Sequence, residues 1–96
     1  MPACLIVNVD IKDRIAFDEY VRNVPSIIWK FGGEYLALSD TLEVIEGEWQ
    51  PQRLVLVRFP DMSTAKSFLS APEYVPWKEL RQRVTSSEMV ALEGLR

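Results

Sequence analysis

One short segment near the start of the chain constrains the fold more than any other feature. It has the pattern of a β-strand that is apolar on both faces. Residues 4–9 read Cys-Leu-Ile-Val-Asn-Val, and side chains along a strand alternate between its two faces. One face carries Leu5, Val7 and Val9, and the other carries Cys4, Ile6 and Asn8. Both faces are largely apolar, so we predict a strand that is covered on both sides.

The remaining segments alternate between strand and helix signals. Apolar residues recur every three or four positions from Asp13, which can cap a helix, to Gly32-Gly33, which can end one. Asp61 can cap a second, short helix, and Pro72 stands at a favoured first-turn position of another that runs to about 83. The predicted strands are 5–9, 34–38 with a continuation at 41–46, 53–59 and 87–92.

This β-α-β-β-α-β order predicts an α+β, ferredoxin-like fold, with a four-stranded antiparallel sheet and helices on one face. The helix-free face would leave apolar side chains in water. A second copy packed face to face would cover them, so we expect a homodimer that forms an α+β barrel. With 96 residues and no linker or repeat, the chain is predicted to be one domain, 1–96.

Charge and missing residue types narrow the possible functions. Eleven basic and fourteen acidic residues give a net charge of −3, which argues against a nucleic-acid or anionic-membrane binder. The chain has no histidine, so His-dependent nucleophile activation is impossible, and transition-metal and haem sites lack their main ligand. No phosphate-binding glycine loop is present. We therefore expect neither a metal nor a cofactor.

The single cysteine, Cys4, cannot form an intrachain disulfide, and nothing requires an oxidising compartment. Its place in an apolar run predicts an inert packing group. The opening residues lack the basic segment and the long apolar run of a signal peptide or membrane span. A cytoplasmic location is the expectation.

Four segments carry a family resemblance: LIVNVDIKD, KFGGEYLA, VIEGEWQPQRLVLVRFPDM and SAPEY…LR…VALEG. In this order they are similar to domain-of-unknown-function family 1330 over almost the whole chain, and EGEWQP-x-R-L-V is the most specific piece. The resemblance implies the fold of the dimeric α/β-barrel superfamily, which also contains small cofactor-free monooxygenases, and it implies dimerisation. It implies no settled activity.

Five side chains are candidates for a small-molecule site between helices and sheet: Asn8, Tyr20, Trp49, Arg53 and Arg81. Asn8 can orient a polar substrate, or it can bridge the backbone or the partner subunit. Tyr20 and Trp49 can line an apolar pocket, or they can belong to the core.

The two arginines have similar alternatives. Arg53 and Arg81 can each hold a carboxylate with the planar guanidinium. Arg53 can instead form an ion pair with Asp10, and Arg81 sits near a helix C-terminus, where cations are favoured in any case.

We interpret the chain as a small homodimeric protein with a small-molecule cleft between helices and sheet, and the sequence supports no specific activity. The alternative is a cofactor-independent enzyme, monooxygenase-like by fold analogy, that acts on a small, partly aromatic or acidic molecule. A non-catalytic interaction module, in which the same residues are core and interface, is also open. A fully packed helix–sheet interface would favour the module, and an enclosed pocket with converging polar groups would favour the enzyme.

Overall fold

The computed structural model describes residues 1–94, so the last two positions of the predicted domain lie outside the described residues. The elements are β1 (Ala3–Ile11), α1 (Arg14–Lys30), β2 (Glu34–Ser39), β3 (Leu54–Phe59), α2 (Met62–Ser70), α3 (Val75–Val84) and β4 (Thr85–Glu93). The sheet order is β2-β3-β1-β4, and each neighbouring pair is antiparallel. The predicted α+β, ferredoxin-like arrangement is therefore confirmed.

Aspartate side chains cap the N-termini of α1 and α2 and fix where these helices begin. The Ala16 N–H donates to the side chain of Asp13 at 3.1 Å, and the Thr64 N–H donates to Asp61 at 2.7 Å. Each carboxylate thereby satisfies a backbone donor that the first turn leaves unpaired. The contact with Thr64 lowers the pKa of the Asp61 carboxyl.

Both glycines after α1 are required by its C-terminus. The Gly32 N–H donates to the Trp29 carbonyl and the Gly33 N–H donates to the Ile28 carbonyl, each at 2.9 Å. This is the Schellman pattern, and Gly32 adopts the positive φ of 78° that the pattern needs. Gly33 is required for space, since an added Cβ would lie 2.6 Å from Ile28 Cγ2 and 2.8 Å from Phe59 Cε1.

The Gly33→Ala substitution is expected to lower the free energy of unfolding by about 1–3 kcal/mol, because both contacts are with well-packed core side chains. Urea denaturation measures the loss. The adjacent Glu34→Ala is the control, since its ion pair with Arg58 is exposed at both ends and such pairs contribute little. Equal urea midpoints for the two variants would contradict the steric account.

The two faces of the sheet differ in what covers them. The helix-facing side packs in one apolar core whose sheet residues include Leu5, Val7 and Val57 and whose helix residues include Val24 and Phe68. The opposite side carries an apolar row across all four strands. The row consists of Ala37, Leu56, Ile6 and Val90, which are paired in register. Val90 is 63% exposed at one end of the row, so the protomer leaves this face uncovered.

The predicted strand continuation at 41–46 is wrong. β2 ends at Ser39, which pairs with Leu54, the first residue of β3. The Thr41 N–H then donates to the Ser39 hydroxyl at 3.0 Å and turns the chain. Within the described residues, 41–46 has no strand opposite it, and β-propensity without a pairing partner does not make a strand. Residues 40–53 form a long connection, and Leu42, Val44, Ile45 and Trp49 are exposed on it.

The predicted ion pair between Asp10 and Arg53 is also absent from the described residues. Asp10 pairs instead with Lys12, whose Nζ lies 3.0 Å from the carboxylate. The Arg53 backbone continues the strand pairing, because its carbonyl accepts a hydrogen bond from the Val9 N–H at 2.9 Å.

Candidate functional site

A cavity of about 280 Å³ lies between α1 and the helix-facing side of the sheet. Its walls are mainly aliphatic and aromatic, and a few polar groups interrupt them. The sheet contributes Leu5, Val7, Val9, Tyr35, Leu38, Val55, Val57 and Met89, and α1 contributes Phe17, Tyr20, Val21, Pro25 and Ile28. Arg53, Phe68, Tyr74 and Arg81 complete the wall. Side chains alternate between the two faces of β1, so Leu5, Val7 and Val9 all point to the helices and form the floor of the cavity.

Two tyrosine hydroxyls meet at the cavity wall. The Tyr20 and Tyr74 hydroxyl oxygens lie 2.7 Å apart, within hydrogen-bond distance. Aromatic contacts hold both rings, because Tyr20 stacks on Phe17 with centroids 5.2 Å apart and Tyr74 stacks on Phe68 at 4.2 Å. The stacked rings therefore fix the positions of the two hydroxyls.

The surroundings keep the phenols of Tyr20 and Tyr35 protonated. Burial raises the pKa of Tyr20 well above its usual range, and the neighbouring Tyr74 raises it further. Burial also raises the pKa of Tyr35 to about 12. At neutral pH both groups therefore act as hydrogen-bond donors and not as bases.

Arg81 places a guanidinium in the same wall. It lies on α3 and is only 6% exposed. Its Nη1 donates to the Ser87 hydroxyl on β4, and the Thr85 hydroxyl donates to its backbone carbonyl. Its Nε has no hydrogen-bond partner, and none of the salt bridges among residues 1–94 includes Arg81.

The other two candidates from the sequence do not line this cavity. The Asn8 side chain accepts hydrogen bonds from the backbone N–H groups of Gln52 at 2.9 Å and Arg53 at 3.4 Å, so it holds the end of the 40–53 connection against β1. It borders a separate polar cavity of about 530 Å³ with Asp10 and Glu88. Trp49 is 59% exposed on the connection.

The cavity thus brings together Tyr20, Arg53 and Arg81 and adds Tyr74, which was not among the five candidates from the sequence. Tyr74 is separated from Tyr20 by 54 positions, and no motif joins them. Cys4 is free and buried, and burial raises the pKa of its thiol, as expected of a packing group. Within 1–94, no group of three or more His, Cys, Asp or Glu side chains could hold a metal ion.

The family model for the domain of unknown function DUF1330 matches residues 2–95. The chain belongs to this family. The resemblance drawn from the sequence segments is therefore confirmed. Among curated proteins, none matches this DUF1330 chain.

Solved structures share the fold of this DUF1330 protein at low sequence identity. A protein of unknown function from Rhodopseudomonas palustris is 15% identical with a TM-score of 0.82, over 99% of this chain and 83% of that one. A dimeric ferredoxin-like protein of unknown function from Jannaschia sp. CCS1 is 12% identical with a TM-score of 0.77, over 98% and 100%. SnoaB, a cofactor-independent oxygenase from Streptomyces nogalater, is 9% identical with a TM-score of 0.68, over 99% and 94%.

At these identities the likeness concerns the fold alone. The roles of the cavity side chains in this DUF1330 protein therefore follow from its own residues and not from those of the similar structures. As for membranes, no described helix combines the length and apolar character that a span requires.

Proposed function

We propose that this DUF1330 chain is a cytoplasmic, homodimeric protein that binds a small, largely apolar molecule in the cavity between α1 and the sheet. The observation that carries the proposal is the cavity itself, which has a volume of about 280 Å³ and mostly apolar walls. This volume is close to the lower bound of about 300 Å³ for small-molecule pockets. It suits a ligand smaller than most drugs.

The polar groups in the wall support binding over a purely structural role. Tyr20, Tyr74 and Arg81 converge on one cavity whose other walls are apolar, which is the usual composition of a ligand site. A fully packed helix–sheet interface would have no such space. The interaction-module alternative is therefore less well supported than ligand binding.

A cofactor-independent enzyme is the second candidate, and the convergence of donors favours it. Two phenols and a guanidinium could stabilise negative charge that develops on an oxygen atom. SnoaB, a cofactor-independent oxygenase, has a related fold. Among residues 1–94, however, the cavity wall has no carboxylate, and the raised pKa values of Tyr20 and Tyr35 remove them as bases at neutral pH. Binding without turnover is therefore the main proposal, and product formation from a bound ligand would favour the enzyme.

The apolar row on the helix-free face supports the homodimer. Ile6, Leu56 and Val90 lie side by side on neighbouring strands, and the face carries no helix to exclude water from them. A twofold partner would bury the same row from both copies. The Jannaschia protein with this fold is described as dimeric. Light scattering after size exclusion should give twice the protomer mass of 11.1 kDa.

The binding proposal is tested with a panel of indole, naphthalene, benzyl alcohol and 1-octanol in a thermal-shift assay. Binding stabilises the folded state by mass action, by about 2.7 kcal/mol at a concentration one hundred times Kd. For a domain of this size that raises Tm by roughly 10–20 °C. The proposal is wrong if neither this panel nor the carboxylic acids and amides described in the next subsection raise the Tm.

Val21→Trp is expected to weaken binding of any panel compound at least about tenfold. Val21 lines the cavity and is 43% exposed, so the larger ring can occupy the mouth without displacing core residues. Ile15→Trp is the matched control, because Ile15 lies on the same helix, is 85% exposed and does not line the cavity. Isothermal titration compares the two variants. Equal affinities would place the compounds somewhere other than this cavity.

A further inference from the structure

The guanidinium of Arg81 is unusual because it is buried and forms no salt bridge within residues 1–94. The residue is 6% exposed, and removing a charge from water is costly unless it is paired and hydrogen-bonded. Its one hydrogen bond from the side chain goes to the Ser87 hydroxyl, which is neutral. The carboxylates that form salt bridges within 1–94 belong to Asp10, Glu19, Glu34 and Glu73. None of them pairs with Arg81.

One edge of this guanidinium includes a buried donor that has no hydrogen-bond partner among residues 1–94. Ser87 occupies Nη1, whereas Nε has no partner. Nε and Nη2 lie on one edge of the planar group, and their N–H bonds point in nearly parallel directions. Such an edge matches the two oxygens of a carboxylate, which it binds through two parallel hydrogen bonds.

The neighbouring groups favour the same ligand chemistry. When one of the paired hydroxyls of Tyr20 and Tyr74 donates to the other, one phenolic proton remains for an oxygen atom of the ligand. Arg53 also lines the cavity and adds positive charge, and none of the lining residues within the described part of the chain is acidic. Against a net charge of −3 for the chain, this local excess of positive charge favours an anion.

The apolar walls restrict the rest of the ligand. A phosphate or sulfate would bring further charged oxygens against Leu, Val and Phe side chains that cannot hydrogen-bond them. A carboxylate satisfies both of its oxygens at one edge of an arginine and leaves an apolar body for the remaining space.

We infer that the ligand is a small monocarboxylic acid with an aromatic or aliphatic body, whose carboxylate binds the Nε–Nη2 edge of Arg81. This inference rests on the proposed function of the cavity as a binding site. The aromatic rings of Phe17, Tyr20 and Phe68 and the side chains of the sheet floor contact the body of the acid. Arg81 is thus the residue that determines specificity.

The test uses acid–amide pairs of the same shape, namely phenylacetate with phenylacetamide and indole-3-acetate with indole-3-acetamide. Isothermal titration of the wild-type protein should show that each acid binds about 10- to 100-fold more tightly than its amide, since a charge-assisted bidentate contact exists only for the acid. Arg81→Met should abolish this preference while the amide affinity stays within about threefold. Arg83→Met, an exposed arginine near the end of the same helix, should leave the preference unchanged.

A measurement on the wild-type protein covers the case in which Arg81→Met does not fold. The Arg81 Nε–H resonance in a nitrogen-15 correlation spectrum should shift when phenylacetate is added and should not shift with phenylacetamide. The Arg83 signal, identified by its absence from the spectrum of Arg83→Met, is the reference and should not shift with either compound.

The outcomes separate this inference from the proposed function. Amides that bind as tightly as acids overturn the inference and leave the cavity as a site for neutral molecules. An acid preference that survives Arg81→Met also overturns it and assigns the preference to another cation, such as Arg53 in the cavity wall. Failure of the acids, the amides and the neutral panel to bind the wild-type protein overturns the proposed function, and the inference with it.

Discussion

Val90→Asp is expected to convert the homodimer into a monomer at micromolar concentration. Val90 is 63% exposed in the protomer and lies in the apolar row opposite Ile6. A twofold interface contains the substituted position twice, so each dimer would bury two unpaired carboxylates. One uncompensated buried charge costs about 3–5 kcal/mol, which corresponds to more than a hundredfold loss of affinity.

Light scattering after size exclusion measures the change, and circular dichroism confirms that the variant remains folded. Ile15→Asp is the control, because Ile15 is 85% exposed on α1, on the helix-covered side of the sheet, and its substitution should leave the dimer intact. A Val90→Asp protein that keeps twice the protomer mass would refute the face-to-face arrangement.

Aspartate at Val7 or Val55 cannot serve this purpose. Val7 is 7% exposed within the core, Val55 packs against that core, and both line the cavity. Their substitution is expected to disrupt folding and not association. Exposed residues of the helix-free face are therefore the informative positions.

Phe68→Ala is expected to lower the free energy of unfolding by about 3–5 kcal/mol, as found when a buried phenylalanine is truncated. Phe68 is 2% exposed and contacts the rings of Phe31, Phe59 and Tyr74, with centroids 5.9, 5.4 and 4.2 Å away. It connects α2 to α1, to the sheet and to the segment before α3. For a domain of this size, the Tm should fall by at least about 12 °C.

Differential scanning calorimetry at a fixed protein concentration measures this fall, since association makes the Tm of a dimer depend on concentration. Trp29→Ala is the control, because it also removes a large aromatic side chain, but one that is 76% exposed. It should change stability by no more than about 0.5 kcal/mol. Similar losses for the two variants would show that the aromatic cluster does not stabilise the fold as its burial implies.

Local patterns in the sequence were sufficient to predict most of the elements. Asp13 and Asp61 cap the helices that were expected to follow them, and Gly32-Gly33 ends α1. Such signals depend on contacts within four or five residues, which the sequence states directly. The segment 41–46 shows where this reasoning fails, because strand formation also requires a neighbour and β3 begins only at Leu54.

The sequence by itself determined the alternation of β1, with Leu5, Val7 and Val9 on one face and Ile6 on the other, and therefore the need to cover both sides of the sheet. Only the tertiary structure decided which polar residues share the cavity. Tyr20 and Tyr74 are 54 positions apart and meet because α1 packs beside the segment before α3. For Arg81 the sequence left two roles open, a carboxylate-binding group or a cation favoured at a helix C-terminus, and packing against β4 buries it beside Ser87. The physical reason is that burial and side-chain proximity depend on how elements pack, whereas sequence periodicity specifies only which face of each element is apolar.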